Sequence, residues 1–194
     1  MKKVIGLCLL LSCQVSNILA INNGVDVPIN EYPWFAKALL GSNPNEYWGG
    51  CGGMLVAPDW VLTAAHCTID IDFTAWQIGA LSNPIRGHNG GQYNEILTAE
   101  YQLEHPDYNK NNYDNDFALV KLTQESTITP VEMDLSGVVN SYTESKKLWS
   151  IGFGKPYPDW LQHVELSFVP KQTCMDKYSD LGSLFSNIAD HQMC

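Results

Sequence analysis

Leu62-Thr63-Ala64-Ala65-His66-Cys67 is the stretch of sequence on which both the fold and the chemistry of this chain depend. The residues Trp60–Thr63 are apolar or β-branched and predict a short buried strand. The two alanines that follow have short side chains, so the backbone can turn tightly and fix the direction of His66. Imidazole titrates near neutral pH, so a histidine held in one place is suited to proton transfer. On this hexapeptide alone, a core histidine beside a structural disulfide is the simpler interpretation.

A second motif follows about fifty residues later as Asn115-Asp116-Phe117-Ala118-Leu119. It resembles the aspartate motif of the chymotrypsin/trypsin-like serine peptidases, and Thr63-Ala64-Ala65-His66-Cys67 resembles the histidine motif of the same family. In that family's triad the histidine is a general base and the aspartate orients its imidazole. The resemblance therefore implies these two roles for His66 and Asp116.

The expected fold is all-β. Many short apolar segments between turns favour a barrel or a sandwich, and the resemblance implies two antiparallel six-stranded barrels. We expect a peptidase domain over 21–194, with the first barrel at about 35–122, a polar connector at 123–147, and an incomplete second barrel at 148–194.

The local pattern gives further expectations. The segment 93–103 predicts a pair of strands, and 148–154 and 161–169 predict further strands, with His163 exposed. Residues 175–194 are expected to form a loop. Because the second barrel is incomplete, limited proteolysis should first remove residues after about Thr123.

The third member of the family's triad, a serine in a Gly-Asp-Ser-Gly-Gly-Pro motif, does not occur in the sequence. We therefore expect the nucleophile, the oxyanion hole and the specificity pocket to lie beyond Cys194. Ser183 follows a glycine, but Leu184 and Phe185 come next, where an oxyanion loop needs small residues. The chain thus reads as a piece of a serine-type endopeptidase that is inactive by itself. The alternative is an inactive truncated homologue that acts as a binding module or has no function.

The N-terminal residues predict a signal peptide over 1–20. Lys2 and Lys3 precede a short apolar run, Val4–Leu11, and Ala20 is a small residue at a plausible cleavage point. An uncleaved anchor is the alternative. Cleavage after Ala20 makes Ile21 the mature N-terminus of a secreted protein, without a basic activation site before it.

Four cysteines remain after residue 20, and an even number in an exported chain implies two disulfides with three possible pairings. Cys51–Cys67 closes a short loop around the histidine, and the resemblance implies a second bridge, Cys174–Cys194. A zinc site of Cys51, Cys67 and His66 is the alternative. It lacks a fourth ligand nearby and suits a reducing compartment better, so no metal is expected.

Composition and charge limit the partners. Hydrophobic residues are 45% and charged residues 16% of the chain, which favours a packed core over disorder. The net charge of −10 makes nucleic acid and anionic membrane surfaces improbable partners. The resemblance implies that a calcium site, where the family has one, uses carboxylates of the loop 82–92; this loop contains none, so no calcium is expected there. The expected partner is a peptide or protein substrate, with no cofactor; the sequence does not indicate an oligomeric state.

Overall fold

The structure, a computed structural model, describes residues 21–40, 50–71, 74–80, 95–137, 141–154 and 160–178. Strands predominate in these ranges, with two short helices. In chain order the elements are β1 (Val25–Asp26), β2 (Phe35–Leu39), β3 (Gly52–Ala57), β4 (Trp60–Thr63), α1 (Ala65–Thr68), β5 (Ala75–Ile78), β6 (Glu95–Glu104), β7 (Ala118–Leu122), β8 (Lys147–Gly152), β9 (Gln162–Ser167) and α2 (Lys171–Tyr178).

Six of the strands form a closed antiparallel barrel in the order β2-β3-β4-β7-β6-β5. The barrel confirms the mostly-β fold and one six-stranded barrel. Alternate residues of a strand point to the same face, and the residues that point into this barrel are mostly apolar. The fully buried members of this core include Ala36, Leu55, Val61, Trp76, Ile78, Val120 and Leu122.

Close packing inside the barrel depends on Gly53 of β3. A Cβ atom at this position would lie 2.6 Å from the carbonyl oxygen of Leu62 and 3.2 Å from the Trp76 ring. Glycine therefore lets β3 approach β4 and the large indole at the same time. β4 ends at Thr63, three residues before His66, so this packing also positions the candidate site.

A second sheet contains three antiparallel strands in the order β1-β9-β8. β8 and β9 fall in the segments that the sequence predicted as strands. β1 was not predicted, because two residues are too few for an alternating pattern to appear. Its register, with Val25 opposite His163, attaches residues 25–26 to this sheet.

A small apolar cluster joins the barrel to the three-stranded sheet. Phe35 of β2 packs against Phe153, with 6.1 Å between the ring centroids. The other buried members are Val27, Ala80 and Leu161. The sheet is thus attached to the barrel through side chains as well as through the connector.

The first half of the connector lies on the barrel. The backbone N–H of Ser126 donates to the carbonyl of Pro58 at 2.7 Å, and that of Val131 donates to the carbonyl of Leu55 at 2.9 Å. The Ser126 hydroxyl donates to the Glu95 carboxylate at 2.6 Å. Residues 132–137 have exposed side chains.

Three local predictions were wrong in detail. The segment 93–103 was expected to hold two strands, but β6 is one strand of ten residues that bends at an irregularity between Ala99 and Tyr101. The expected loop after Cys174 begins as helix, since α2 continues to Tyr178. His163 was expected to be exposed, yet it is half-buried and stacks on Trp149 with ring centroids 4.6 Å apart.

Several predicted features lie outside the described residues: the signal segment 1–20, the segment 82–92, Ser183 and Cys194. Within the part of the chain that is described, neither helix is long and apolar enough to cross a bilayer.

Candidate active site

His66 lies on a single helical turn directly after β4. Ala64 is extended, with φ −86° and ψ 143°, and the helical turn α1 begins at Ala65. Ala65 is fully buried, so a larger side chain has no room there. The imidazole of His66 points outward, with half of its side-chain surface exposed.

The pairing of β4 with β7 brings Asp116 to His66. Thr63 lies opposite Ala118 in this antiparallel ladder. His66 follows Thr63 and Asp116 precedes Ala118, so both residues extend beyond the same end of the strand pair. Two residues that are distant in the sequence therefore meet at one rim of the barrel.

Asp116 holds His66 at two points. Its Oδ2 lies 2.7 Å from Nδ1 of the imidazole, and its Oδ1 accepts the backbone N–H of His66 at 2.8 Å. An ionised carboxylate only accepts hydrogen bonds, so the proton of a neutral imidazole resides on Nδ1. Nε2 then presents a lone pair on the exposed side, which is the arrangement a general base needs.

The loop before β7 uses two left-handed residues to aim Asp116. Asn115 has φ +54° and Tyr113 has φ +56°. Asparagine tolerates this region better than other residues with a Cβ atom, and its amide donates to the carbonyl of Asp107 at 3.2 Å. Tyr113 stands edge-on to His66, with 5.8 Å between the ring centroids.

Sequence reasoning missed the roles of Asn115 and Tyr113. The preference of asparagine for left-handed backbone is a signal for the first residue. For Tyr113 the sequence carried no signal, because its contact with His66 depends on the path of the whole loop.

The electrostatic surroundings of this rim are negative. Burial raises the pKa of Tyr108, and the charges of Asp116 and Asp70 raise it further.

The predicted bridge between Cys51 and Cys67 is confirmed, with 6.1 Å between the Cα atoms. Its Cys67 sulfur lies 3.6 Å from Nε2 of His66. Cys174 is buried and also disulfide-bonded. Because Cys194 is outside the described residues, its pairing with Cys174 remains a prediction.

Nε2 of His66 has no serine or threonine hydroxyl as hydrogen-bond partner among the residues that the structure describes. The atom near Nε2 in this part of the chain is the Cys67 sulfur.

One ligand atom each of Cys51, His66 and Cys67 lies within 4.8 Å of the others, a grouping that is suitable for a metal ion. In the disulfide form the two sulfurs are bonded to each other, so neither is a thiolate, the form of cysteine that binds metals.

Ile21, the predicted mature N-terminus, lies beside the three-stranded sheet. Its backbone nitrogen donates to the side-chain oxygen of Gln162 at 3.1 Å. Gln162 is almost fully buried, and its amide group donates to Asp26 at 3.2 Å. A Cβ atom at Gly24 would lie 2.7 Å from Cβ of Ile21, so the turn after Ile21 requires glycine.

Comparisons with known proteins agree with these motifs. Residues 21–194 match the family model described as Trypsin. The chain is 25% identical to trypsin, alkaline C of Manduca sexta over 92% of this chain and 70% of that protein. It is 28% identical to serine protease 1 of Drosophila melanogaster over 82% of this chain and 60% of that protein. It is also 28% identical to the CLIP domain-containing serine protease HP8 of Bombyx mori, over 90% of this chain and 53% of that protein.

Proposed function

The chain belongs to the trypsin family, and on that premise we propose that it serves peptide-bond hydrolysis by a serine-type endopeptidase, with His66 as the general base and Asp116 as the group that orients it. The observation that carries this proposal is the double contact of Asp116 with the ring and the backbone of His66. The substrates are peptides or proteins.

In the proposed reaction, Nε2 of His66 takes the proton of a serine hydroxyl as that oxygen attacks the peptide carbonyl. The transfer needs the hydroxyl within about 3 Å of Nε2. Asp116 keeps the proton on Nδ1 and stabilises the imidazolium that forms. His66 then returns the proton to the departing amine.

We further propose that the nucleophile and the oxyanion hole are supplied by sequence outside these 194 residues, and that the chain is inactive without it. The sequence contains no Gly-Asp-Ser-Gly-Gly-Pro motif, and Ser183 lacks the small neighbours that an oxyanion loop requires. Loss of the nucleophile alone costs about a millionfold in rate in a comparable enzyme, which is roughly 8 kcal/mol of barrier.

Two further parts of the proposal concern the architecture and the location of the protein. The three-stranded sheet β1-β9-β8 belongs to a second barrel that is incomplete in this chain. The exposed Leu166, which shares a face of the sheet with Leu148 and Val164, supports this, because the interior of a completed barrel would give it apolar neighbours. Residues 1–20 act as a signal peptide, so the protein that starts at Ile21 is secreted.

The test uses two proteins: the 194-residue chain, and the same chain extended by a family segment that carries the serine motif. We expect the first neither to hydrolyse amide or ester substrates nor to react with a serine-directed fluorophosphonate. The extended protein should do both. In it, His66→Ala should abolish turnover, and Asp116→Asn should reduce it by about ten-thousandfold through the wrong imidazole tautomer.

Asp107→Asn is the matched control for Asp116→Asn, since it removes an exposed carboxylate of the same loop and should leave turnover unchanged. Fluorophosphonate labelling of Ser183 in the 194-residue chain would overturn the assignment of the nucleophile. Full activity of His66→Ala in the extended protein would overturn the role of His66.

A further inference from the structure

We propose that reduction of the Cys51–Cys67 disulfide creates a zinc site whose three protein ligands are Cys51, Cys67 and His66. The inference depends on the positions of these side chains and does not require the proposed peptidase activity. It concerns the reduced protein, whereas the disulfide form lacks the thiolates that zinc needs.

The separation of the imidazole and the Cys67 sulfur already fits a tetrahedral ion. Zinc lies about 2.3 Å from sulfur and about 2.0 Å from nitrogen, which puts two such ligands of one tetrahedral ion roughly 3.6 Å apart. Nε2 of His66 and Sγ of Cys67 are 3.6 Å apart. The spacing of this pair is therefore the spacing that two ligands of one zinc ion require.

Cys51 completes the set after a small movement. Its sulfur belongs to the group of three ligand atoms that lie within 4.8 Å of one another. In the reduced protein the two sulfurs must separate from bonding distance to roughly 3.8 Å, the spacing of two thiolates on one zinc. With the Cα atoms 6.1 Å apart, rotation of the side chains can supply this separation. Water takes the fourth position.

Asp116 supplies the partner that zinc-binding histidines usually have. A histidine ligand almost always donates its other ring N–H to a carboxylate or carbonyl, which fixes the ring and makes the ligating nitrogen a better donor. Here Nδ1 of His66 lies 2.7 Å from Oδ2 of Asp116, so Nε2 is left for the metal. The orientation that suits a general base suits a metal ligand equally well.

The conversion requires a reductant of the dithiol class. One thiolate of the dithiol attacks a sulfur of the Cys51–Cys67 bridge and forms a mixed disulfide, and the second thiol displaces the protein sulfur. The dithiol is oxidised to its cyclic disulfide by loss of two electrons. Both protein cysteines become thiols, and zinc then replaces their two protons. The bound ion occupies Nε2 of His66, so the reduced, zinc-loaded protein has no free general base.

The experiment is an anaerobic titration of the full chain with Co²⁺ and then Zn²⁺, after reduction and removal of the dithiol. We expect the reduced protein to show the thiolate-to-cobalt charge-transfer band and the d–d bands of a tetrahedral site, with one ion bound per chain. Zinc should displace the cobalt and raise the melting temperature of the reduced protein by mass action. The oxidised protein should show neither effect.

Variants separate this site from metal binding by other reduced cysteines. His66→Ala should weaken zinc binding by at least about tenfold, and Asp116→Asn by about 10–100-fold, the usual effect of losing an outer partner. Cys174→Ser is the control and should leave the cobalt spectrum unchanged. Equal affinity of the His66→Ala variant would overturn the proposal, and so would the absence of cobalt bands in the reduced wild type. Circular dichroism of the reduced protein is recorded alongside to show whether it is folded. Zinc binding by an unfolded chain, with the same affinity in the His66→Ala variant, would also contradict the proposal.

Discussion

Asp116 fixes one tautomer of His66 through the contact with Nδ1, and this contact can be tested in the chain without any substrate. In the wild type, ¹⁵N resonances of the imidazole should show the proton on Nδ1 and the lone pair on Nε2. Asp116→Asn can present an amide N–H to Nδ1 and so favour the other tautomer. Asp107→Asn is the matched control and should retain the wild-type pattern. Unchanged nitrogen shifts in Asp116→Asn would contradict the orienting role.

Lys37 gives a second prediction at the scale of one residue. Its side chain is only 4% exposed, and Nζ lies 4.9 Å from the centroid of the Phe153 ring. Burial lowers the pKa of Lys37 from 10.5 to about 8. The folded state thus binds this proton more weakly than the unfolded state. The cost of burying the charge is fully present below pH 8 and disappears as the pH rises through 10.5.

Lys37→Met should therefore raise the free energy of unfolding at pH 7, by up to about 3 kcal/mol if the whole shift in pKa is recovered. The gain should shrink between pH 8 and 10.5. Urea unfolding of the wild type and the variant at pH 7 and at pH 10.5 measures this difference in the free energy of unfolding. Lys147→Met, at an exposed position of β8, should show no such pH-dependent difference. A Lys37→Met gain of the same size at pH 7 and pH 10.5 would show that burial of charge is not the cause.

Among individual residues, the sequence identified those that occur in strong local motifs. His66, Asp116 and the Cys51–Cys67 pair were all found in this way, and the structure brings the four together. Tyr113 and Gln162 were missed, since their contacts join segments with no sequence pattern in common. The left-handed backbone of Asn115 could have been expected from its residue type. The direction in which this turn points Asp116 could not.

At the scale of the strands, Gly53 links the packing of the barrel to the position of His66. Gly53→Ala should destabilise the fold by about 1–3 kcal/mol, because the added methyl group meets the backbone oxygen of Leu62, which cannot move without displacing β4. The midpoint of urea unfolding measures the loss. Gly152→Ala in β8 is the control, since its nearest contact is 4.0 Å away and no loss is expected. Equal midpoints for the two variants would contradict this account.

The strands of the barrel were largely predictable because each is an apolar run bounded by turn residues. β6 was less predictable, because a bulge in the middle of the strand interrupts the alternation of its side chains. The sequence of one bent strand then resembles that of two strands. β1 could not be predicted from the sequence, because it has only two residues and pairs with β9, which is far from it in the chain. Register between distant strands is decided by packing, and a local pattern does not contain it.

At the scale of the molecule, the connector decides where the chain is open to cleavage. From the sequence we expected proteolysis to begin after about Thr123. The structure ties residues 123–131 to the barrel through backbone bonds to Thr98, Pro58 and Leu55. Residues 132–137 are the exposed part, and Leu135 is 85% exposed. Cleavage needs a segment that can open locally, so docking should protect the first half of the connector.

We therefore expect the first cut of limited proteolysis to fall within 132–137 and to leave the barrel intact in the N-terminal fragment. Mass spectrometry of the earliest fragments locates the cut. Glu95→Gln removes the charge that holds Ser126 and Thr127, so it should weaken the docking and admit cuts upstream of residue 131. Glu104→Gln, a carboxylate of the same strand, should leave the pattern unchanged. First cuts before residue 131 in the wild type would mean that these hydrogen bonds do not hold the connector, and that the barrel ends, as a stable unit, at β7.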